Sequence, residues 1–287
     1  MIKMKFLALY FAFKVATCSC ADDEPFGFLN WNSEKEIEKT GKLNTEISES
    51  SGLQKTPDGK IWTHNDSGAL PQLFQITEKG ELLDVVDLEI PNRDWEDITA
   101  DTSGHIFIGD FGNNLNKRKD LTIFKCNSDS IESIYFSYGD QQFEPDEPSF
   151  FDCEAFFWFE DSLYLFTKSW EKDEPLTKLY VLPDKAGSYE VLPKESLLLH
   201  EPVTAADINP SGTIFALLTY GKVLLFEVKN HQISLTNPLA CIKTRRKQTE
   251  ALTFLNDYEL LISNEQGEVF HLQIPLTGRL NTELTLR

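Results

Sequence analysis

Five stretches of the chain share one alternation of apolar and polar positions: SGLQKTPDGKIWTHND, EDITADTSGHIFIGD, EAFFWFEDSLYLFTK, ADINPSGTIFALLT and EALTFLNDYELLISNE. Each begins on a small or acidic residue and reaches an apolar one two positions later, namely Leu53, Ile98, Phe156, Ile208 or Leu252. It then crosses a turn rich in Asp, Gly, Asn or Ser and enters a second apolar run. That is the signature of strand, turn, strand. The anchors lie 44 to 58 residues apart, a spacing that belongs to propeller blades. Between the hairpins lie further runs rich in β-branched and aromatic residues, such as LTIFKC, SIYFSY, KLYVLP, KVLLFEV and EVFHLQI. Each unit therefore has room for about four antiparallel strands, and no long helical pattern interrupts them. The expectation is an all-β chain folded as a five-bladed β-propeller with four-stranded antiparallel blades. Six blades are the alternative, the sixth being a degenerate unit before Gly41. The outer strand of the last blade is expected from Thr282 to Leu286 or, joining the two chain ends, from Lys42 to Ile47.

The first twenty residues break this pattern. Lys3 and Lys5 precede an apolar stretch, Phe6 to Phe13, too short to span a bilayer as a helix, which reads as an export signal. Its end is similar to a bacterial lipobox, so Cys18 or Cys20 is a candidate for lipidation. Residues 1–20 are thus read as signal, 21–40 as an acidic tether and 41–287 as one propeller domain. The implied setting is the outer membrane or cell surface of a bacterium, or otherwise the periplasm or medium, with membrane attachment by lipid alone. The three cysteines certain to remain, Cys126, Cys153 and Cys241, are odd in number and far apart, which predicts no disulfide framework. A fold held by packing and monomeric in solution is expected. With 46 acidic against 27 basic residues, a net charge of −19 disfavours nucleic acid and favours divalent cations.

Charge also changes the reading of the repeats. The first strand of a propeller blade lies nearest the axis, so residues at equivalent early positions approach one another. Aligned on the apolar anchors, these are Ser51, Glu96, Glu154, Ala206 and Glu250. Three carboxylates in one narrow channel would repel and lose hydration at a cost of several kcal/mol per charge unless a cation joined them. A hard ion with oxygen ligands fits, which favours Ca²⁺ over zinc. The opposing expectation is that these acids form ordinary ion pairs with Arg93, Lys168, Arg245 or Arg246.

The order of these residues resembles that of the calcium-activated apyrases, soluble nucleotidases with a five-bladed propeller in which each inner strand offers one calcium ligand in the order Ser, Glu, Glu, Ser, Glu. DSG at Asp66 to Gly68 and FIGDFG at Phe107 to Gly112 are similar to that family's turns after the first and second hairpins. The resemblance implies Ser51, Glu96, Glu154 and Glu250 as metal ligands, with a departure at Ala206 that water, Thr204 or Asp207 would fill.

The start of the first strand and the end of the second share a rim, and polar residues of both signs gather there. Asp66 and Asp110 are the candidate catalytic bases. Asn65, Asn113, Asn114, Lys168, Arg245 and Arg246 are candidates for holding a small anionic or sugar-like ligand. The same side chains are also common turn formers, and GNN at Gly112 to Asn114 would suit left-handed backbone without any ligand. No GxSxG, HExxH, phosphate-loop or GxGxxG motif occurs. Three functions remain: a calcium-dependent hydrolase of phosphoanhydrides or phosphoesters, a recognition module for a glycan, peptide or surface protein with a structural ion, and a lactone or ester hydrolase.

Overall fold

A computed structural model describes residues 18–31, 37–127, 130–143, 150–169, 175–199, 201–244 and 248–274. The export signal up to residue 17, Arg245, Arg246, Trp170 and the Thr282–Leu286 segment lie outside the described residues.

Five separate antiparallel sheets of four strands each form a ring, as the repeat pattern predicts. Their inner strands are Ser50–Lys55, Trp95–Ala100, Asp152–Phe159, Val203–Ile208 and Thr249–Asn256, and blades 1 to 5 are numbered in that order. Successive residues of a strand face opposite sides of its sheet, so each blade contributes apolar side chains to two neighbours at once. In blade 3, Phe156 packs with Phe107 and Phe111 of blade 2, whereas the adjacent Phe157 packs with Phe215 of blade 4. The described residues contain five apolar clusters, and each one joins a blade to the next around the ring. No blade could bury its apolar faces alone, which is why the units are stable only as a closed set.

Two blades carry a fifth, parallel edge strand. Gly187–Val191 leaves blade 3 to pair with Ile131–Tyr138 of blade 2, and Leu29–Trp31 pairs with Pro238–Lys243 of blade 4.

Ring closure differs in detail from the sequence reading. The outer strand of blade 5 is Ile37–Lys42, antiparallel to Glu268–Gln273. The chain end does return, but five residues earlier than expected. The segment after Lys42 turns instead: the Asn44 side chain accepts from the Glu46 amide at 3.0 Å, and the Ile47 amide bonds the Asn44 carbonyl at 2.9 Å. A polar turn former thus ends the strand and redirects the chain into blade 1.

The described parts of the stretch read as a tether, 21–31 and 37–40, pack onto the propeller. Two 3₁₀ turns, Cys20–Asp22 and Glu24–Phe26, lead into the added strand Leu29–Trp31, and Phe28 packs edge-on against Phe226 at 5.1 Å. Cys20 forms a disulfide with Cys241 of blade 4, across 221 residues of sequence. The expectation of a fold without disulfides is therefore corrected, and a sulfur engaged in this bond is not open to lipidation. The partner of Cys241 was hidden because Cys20 had been placed within the signal. Beside the disulfide, Lys222 is fully buried with its ammonium 2.7 Å from both Asp23 and Glu201. One end of this ion triad belongs to the N-terminal strap, the others to blade 4 and the loop before it.

Candidate metal centre and mouth

Every inner strand is interrupted at the same place. The register to the second strand skips one residue in each blade, leaving Ser51, Glu96, Glu154, Thr204 and Glu250 unmatched. A β-bulge of this kind re-aims the extra side chain away from the regular pleat. Here it places one polar residue per blade at equivalent positions on the same rim.

This corrects one position of the alignment. Thr204 stands where Ala206 was expected. Ala206 pairs regularly with Leu217, two residues past the bulge, and lies in the apolar layer between blades 3 and 4. Its equivalents are Leu53, Ile98, Phe156 and Leu252. An alanine is a weak apolar anchor, so the sequence pattern slid by two residues to Ile208. The ring therefore reads Ser, Glu, Glu, Thr, Glu. The Thr204 hydroxyl donates to the Thr249 carbonyl at 2.8 Å, just ahead of Glu250.

Carboxylates crowd this rim. Oxygens of Glu96, Asp152 and Glu154 all lie within 4.8 Å of one another, and so do those of Asp66, Asp94 and Glu96. Glu96 belongs to both groups. Glu250 belongs to neither: its carboxylate accepts from the Tyr220 hydroxyl at 2.8 Å. Asp152 and Asp94 were not singled out as ligands. Each lies two residues before its bulge residue, outside the five-fold position the repeats make visible.

Among the described residues, Lys168 is the buried cation beside Glu154. Lys168 ion-pairs with Glu154 and donates to the Tyr220 hydroxyl at 3.4 Å, so that Glu154, Lys168, Tyr220 and Glu250 form a chain across blades 3, 4 and 5. The ion-pair expectation thus holds for Glu154 and Lys168. Arg93 pairs instead with Asp120, and Arg118 holds Asp110 at 3.1 Å.

Titration follows from this imbalance. Burial, and then the charges of Glu154, Asp66, Asp152 and Asp94, push the Glu96 carboxyl well above its ordinary range. Burial also raises Glu154, although Lys168 opposes it, and lifts Glu250 to about 7. For Lys168 burial alone would weaken the ammonium, but Glu154, Tyr220 and Glu250 outweigh it and raise its pKa. Among the described residues, the acids around Glu96 outnumber the cations Lys168 and Arg118 that act on them, a setting that favours uptake of protons or of a cation.

A hard divalent cation fits the donor set. Oxygens no more than 4.8 Å apart can share one shell whose bonds are about 2.4 Å. The backbone makes room for such a cluster at Gly112, where a Cβ would fall 2.1 Å from Glu96 Oε1 and 2.5 Å from Asp94 Oδ2. Close approach, and not a left-handed φ, is the reason for this glycine; the left-handed residue of the loop is Asn116.

The remaining candidates occupy two kinds of place. Asp66 is half-buried beside Asp94 and Glu96, raised by burial and bonded to the Ser67 amide. Asp110 is fixed by Arg118 and by the Asp94 amide at 3.0 Å, and so orients the loop that carries Asp94. Asn65 and Asn113 cap backbone: Asn65 bonds the Glu49 amide and Glu46 carbonyl, and Asn113 accepts from the Lys117 and Arg118 amides at 2.8 Å each. Asn114 is exposed. His64, near the same rim, is buried against Trp95 and held neutral with its pKa lowered to about 4 by burial.

Deeper along the axis, two further acids join the blades. Asp97 accepts backbone amides of Phe156 in blade 3, at 3.2 Å, and Ala206 in blade 4, at 3.4 Å; Asp207 accepts the Phe254 amide and Thr253 hydroxyl of blade 5. These carboxylates are satisfied by donors and hold the inner strands together.

No family model matches the chain, and no curated protein matches it. Among solved structures it is similar to a gluconolactonase from Xanthomonas campestris, at TM-score 0.50 and 10% identity over 83% of this chain and 89% of that one. It is also similar to a PQQ-bound aldose sugar dehydrogenase from Streptomyces coelicolor, at TM-score 0.49 and 9% identity over 83% and 97% of the two chains. A virginiamycin B lyase from Staphylococcus aureus aligns at TM-score 0.41 and 13% identity over 79% of this chain, which spans 66% of that protein's length. At such identities the likeness establishes the fold alone: the chain is a β-propeller.

Proposed function

We propose that the chain is an exported, metal-dependent hydrolase that cleaves phosphoanhydrides or phosphoesters at the acidic mouth, with calcium as its ion. The observation that carries this reading is the pair of carboxylate triads joined at Glu96, whose carboxyl is held well above its ordinary range by burial and by the acids around it. Glu96, Asp152 and Glu154 would hold the ion, with Asp66 and Asp94 open to share it. When bound, it would neutralise the cluster and lower the pKa of a coordinated water. The bulge residues Ser51, Glu96, Glu154, Thr204 and Glu250 support the apyrase-like order, with threonine in the fourth place in the role of serine.

In this reading Asp66 is the general base, since its carboxyl lies beside Asp94 and Glu96 at the mouth and burial keeps it prone to accept a proton. Asp110 positions Asp94 through its amide. Lys168 holds Glu154 in place while its charge offsets that of an incoming anion. The disulfide between Cys20 and Cys241 supports export, because such bonds persist in oxidising compartments. With Cys20 engaged, lipid attachment is proposed at Cys18, whose thiol is buried against the Gly221 carbonyl in this structure and would have to turn outward to carry a lipid.

The test is phosphate release from a panel of nucleoside di- and triphosphates with calcium and with chelator. Release that needs calcium and is lost in Glu96→Gln supports the proposal; no release under any condition removes it. The second reading, a recognition module with a structural ion, is favoured by the Lys168 to Glu154 ion pair, which already meets part of the charge demand. It expects a chelator-sensitive melting temperature without turnover.

A further inference from the structure

The opposite end of the propeller axis holds a cavity of about 610 Å³, far from the carboxylate rim, walled by hairpins of all five blades. Its lining includes the aromatic residues Trp158, Phe159 and Phe254, together with Gln54, whose amide donates to the Lys55 carbonyl at 2.8 Å, and Asn209, whose side chain bonds Thr213 and the Ile214 amide. Charged groups also border it, yet each is already engaged. Lys55 donates to the Leu255 carbonyl at 2.7 Å, Asp101 pairs with His105 at 2.6 Å, and Glu160 with His231 at 2.7 Å. Asp207 accepts from the Phe254 amide at 2.8 Å and the Thr253 hydroxyl at 2.9 Å. Nothing in this cavity calls for a charged occupant.

The rim is built to a fixed shape. Glu160 and Asp161 form one turn and Asn230 and His231 another, and all four are non-glycine residues with left-handed backbone, φ between 48° and 59°. Each pair fills the two-residue loop of a tight hairpin, Phe159 pairing with Ser162 and Lys229 with Gln232, and the twist of the flanking strands calls for this backbone. The His231 to Glu160 contact ties the two turns together across blades 3 and 4. At Gly212 a Cβ would fall 2.7 Å from the Phe159 ring, so the loop of blade 4 closes directly onto that wall.

We infer that this cavity is a second binding site, for a neutral carbohydrate of one or two rings. Apolar faces of a pyranose pack on aromatic walls, and its hydroxyls exchange hydrogen bonds with amide and hydroxyl side chains. A volume of about 610 Å³ lies within the range of small-ligand sites. The inference is independent of the metal and of any hydrolysis at the other end.

Saturation-transfer NMR on the intact protein tests it, with glucose, galactose, N-acetylglucosamine, maltose and cellobiose as probes and a short polyethylene glycol as control. At least one sugar is expected to show saturable transfer with millimolar affinity. Gln54→Leu, which keeps the volume and removes the amide, should weaken that affinity tenfold or more, while Glu96→Gln at the far rim should leave it unchanged. Phe159→Leu serves as a second variant and should also weaken binding. Transfer to no sugar above the control overturns the inference. So does binding that Gln54→Leu and Phe159→Leu leave intact, or preferential binding of an organic phosphate or an aromatic amine.

Discussion

The disulfide between Cys20 and Cys241 closes a loop containing blades 1 to 3 and most of blade 4, and its removal is the perturbation whose size can be worked out most directly. In the chain-entropy account a cross-link restricts the unfolded chain by an amount that grows with the logarithm of loop length, about 4.7 kcal/mol for 100 residues. For a separation of 221 residues the same relation gives roughly 5 kcal/mol, which is an upper figure because real unfolded chains are compact. Cys20→Ser should therefore destabilise the protein by about 3–5 kcal/mol. In a propeller of this size that lowers the melting temperature by roughly 10 °C. Calorimetry on the wild type, Cys20→Ser, Cys241→Ser and the double variant is the assay. The three variants should melt together, since each lacks the same bond, and a reductant added to the unfolded wild type before refolding should reproduce them. A Cys20→Ser protein that melts within about 2 °C of wild type would refute the reasoning, as would a double variant much less stable than either single one.

Other outcomes follow from the mouth and the axis. Glu250 has its folded pKa raised to about 7, so the stability linked to it is full below its unfolded value and falls as pH rises through the folded value. In chelator the melting temperature should drop between pH 5 and pH 8, by an amount equivalent to about 3 kcal/mol, and calcium should restore more at pH 8 than at pH 5. Lys168→Met leaves the buried Glu154 without its partner and should cost roughly 3–5 kcal/mol at pH 8; this loss should shrink at low pH, where the carboxyl is protonated. Gly112→Ala drives a methyl into Glu96 and Asp94, and calcium titration should show at least tenfold weaker affinity than wild type. Asp97→Asn exchanges an acceptor of three backbone amides for a weaker one, so denaturant unfolding should show a loss of about 1–3 kcal/mol.

The ring of blades was legible because turn residues and period-two apolar runs recur at each hairpin, and both are local. Glu96, Glu154 and Glu250 were legible for the same reason. Thr204 was missed because the bulge shifts register without leaving a mark in the pattern, and Ala206 offered too little apolar surface to anchor the alignment. Asp152 was missed, and Asp94 was not assigned to the ion, because their approach to Glu96 depends on how neighbouring blades lean together. The place of Tyr220 between Lys168 and Glu250 exists only once blades 3, 4 and 5 stand side by side. The pairing of Cys20 with Cys241 has no local signal at all.

Blade 5 is completed by Ile37–Lys42, a strand made before blades 1 to 4, whose partner Glu268–Gln273 is made after them. Local hairpins can form as they emerge, but this pairing must wait until all five blades have been made, and contacts between such distant segments are the slow ones to form. Until then Glu268–Gln273 lacks its neighbour and the early strand is unpaired. A chain delayed in this way stays unfinished until its fifth blade has been made, and it becomes one cooperative body only when the early strand finds the late one.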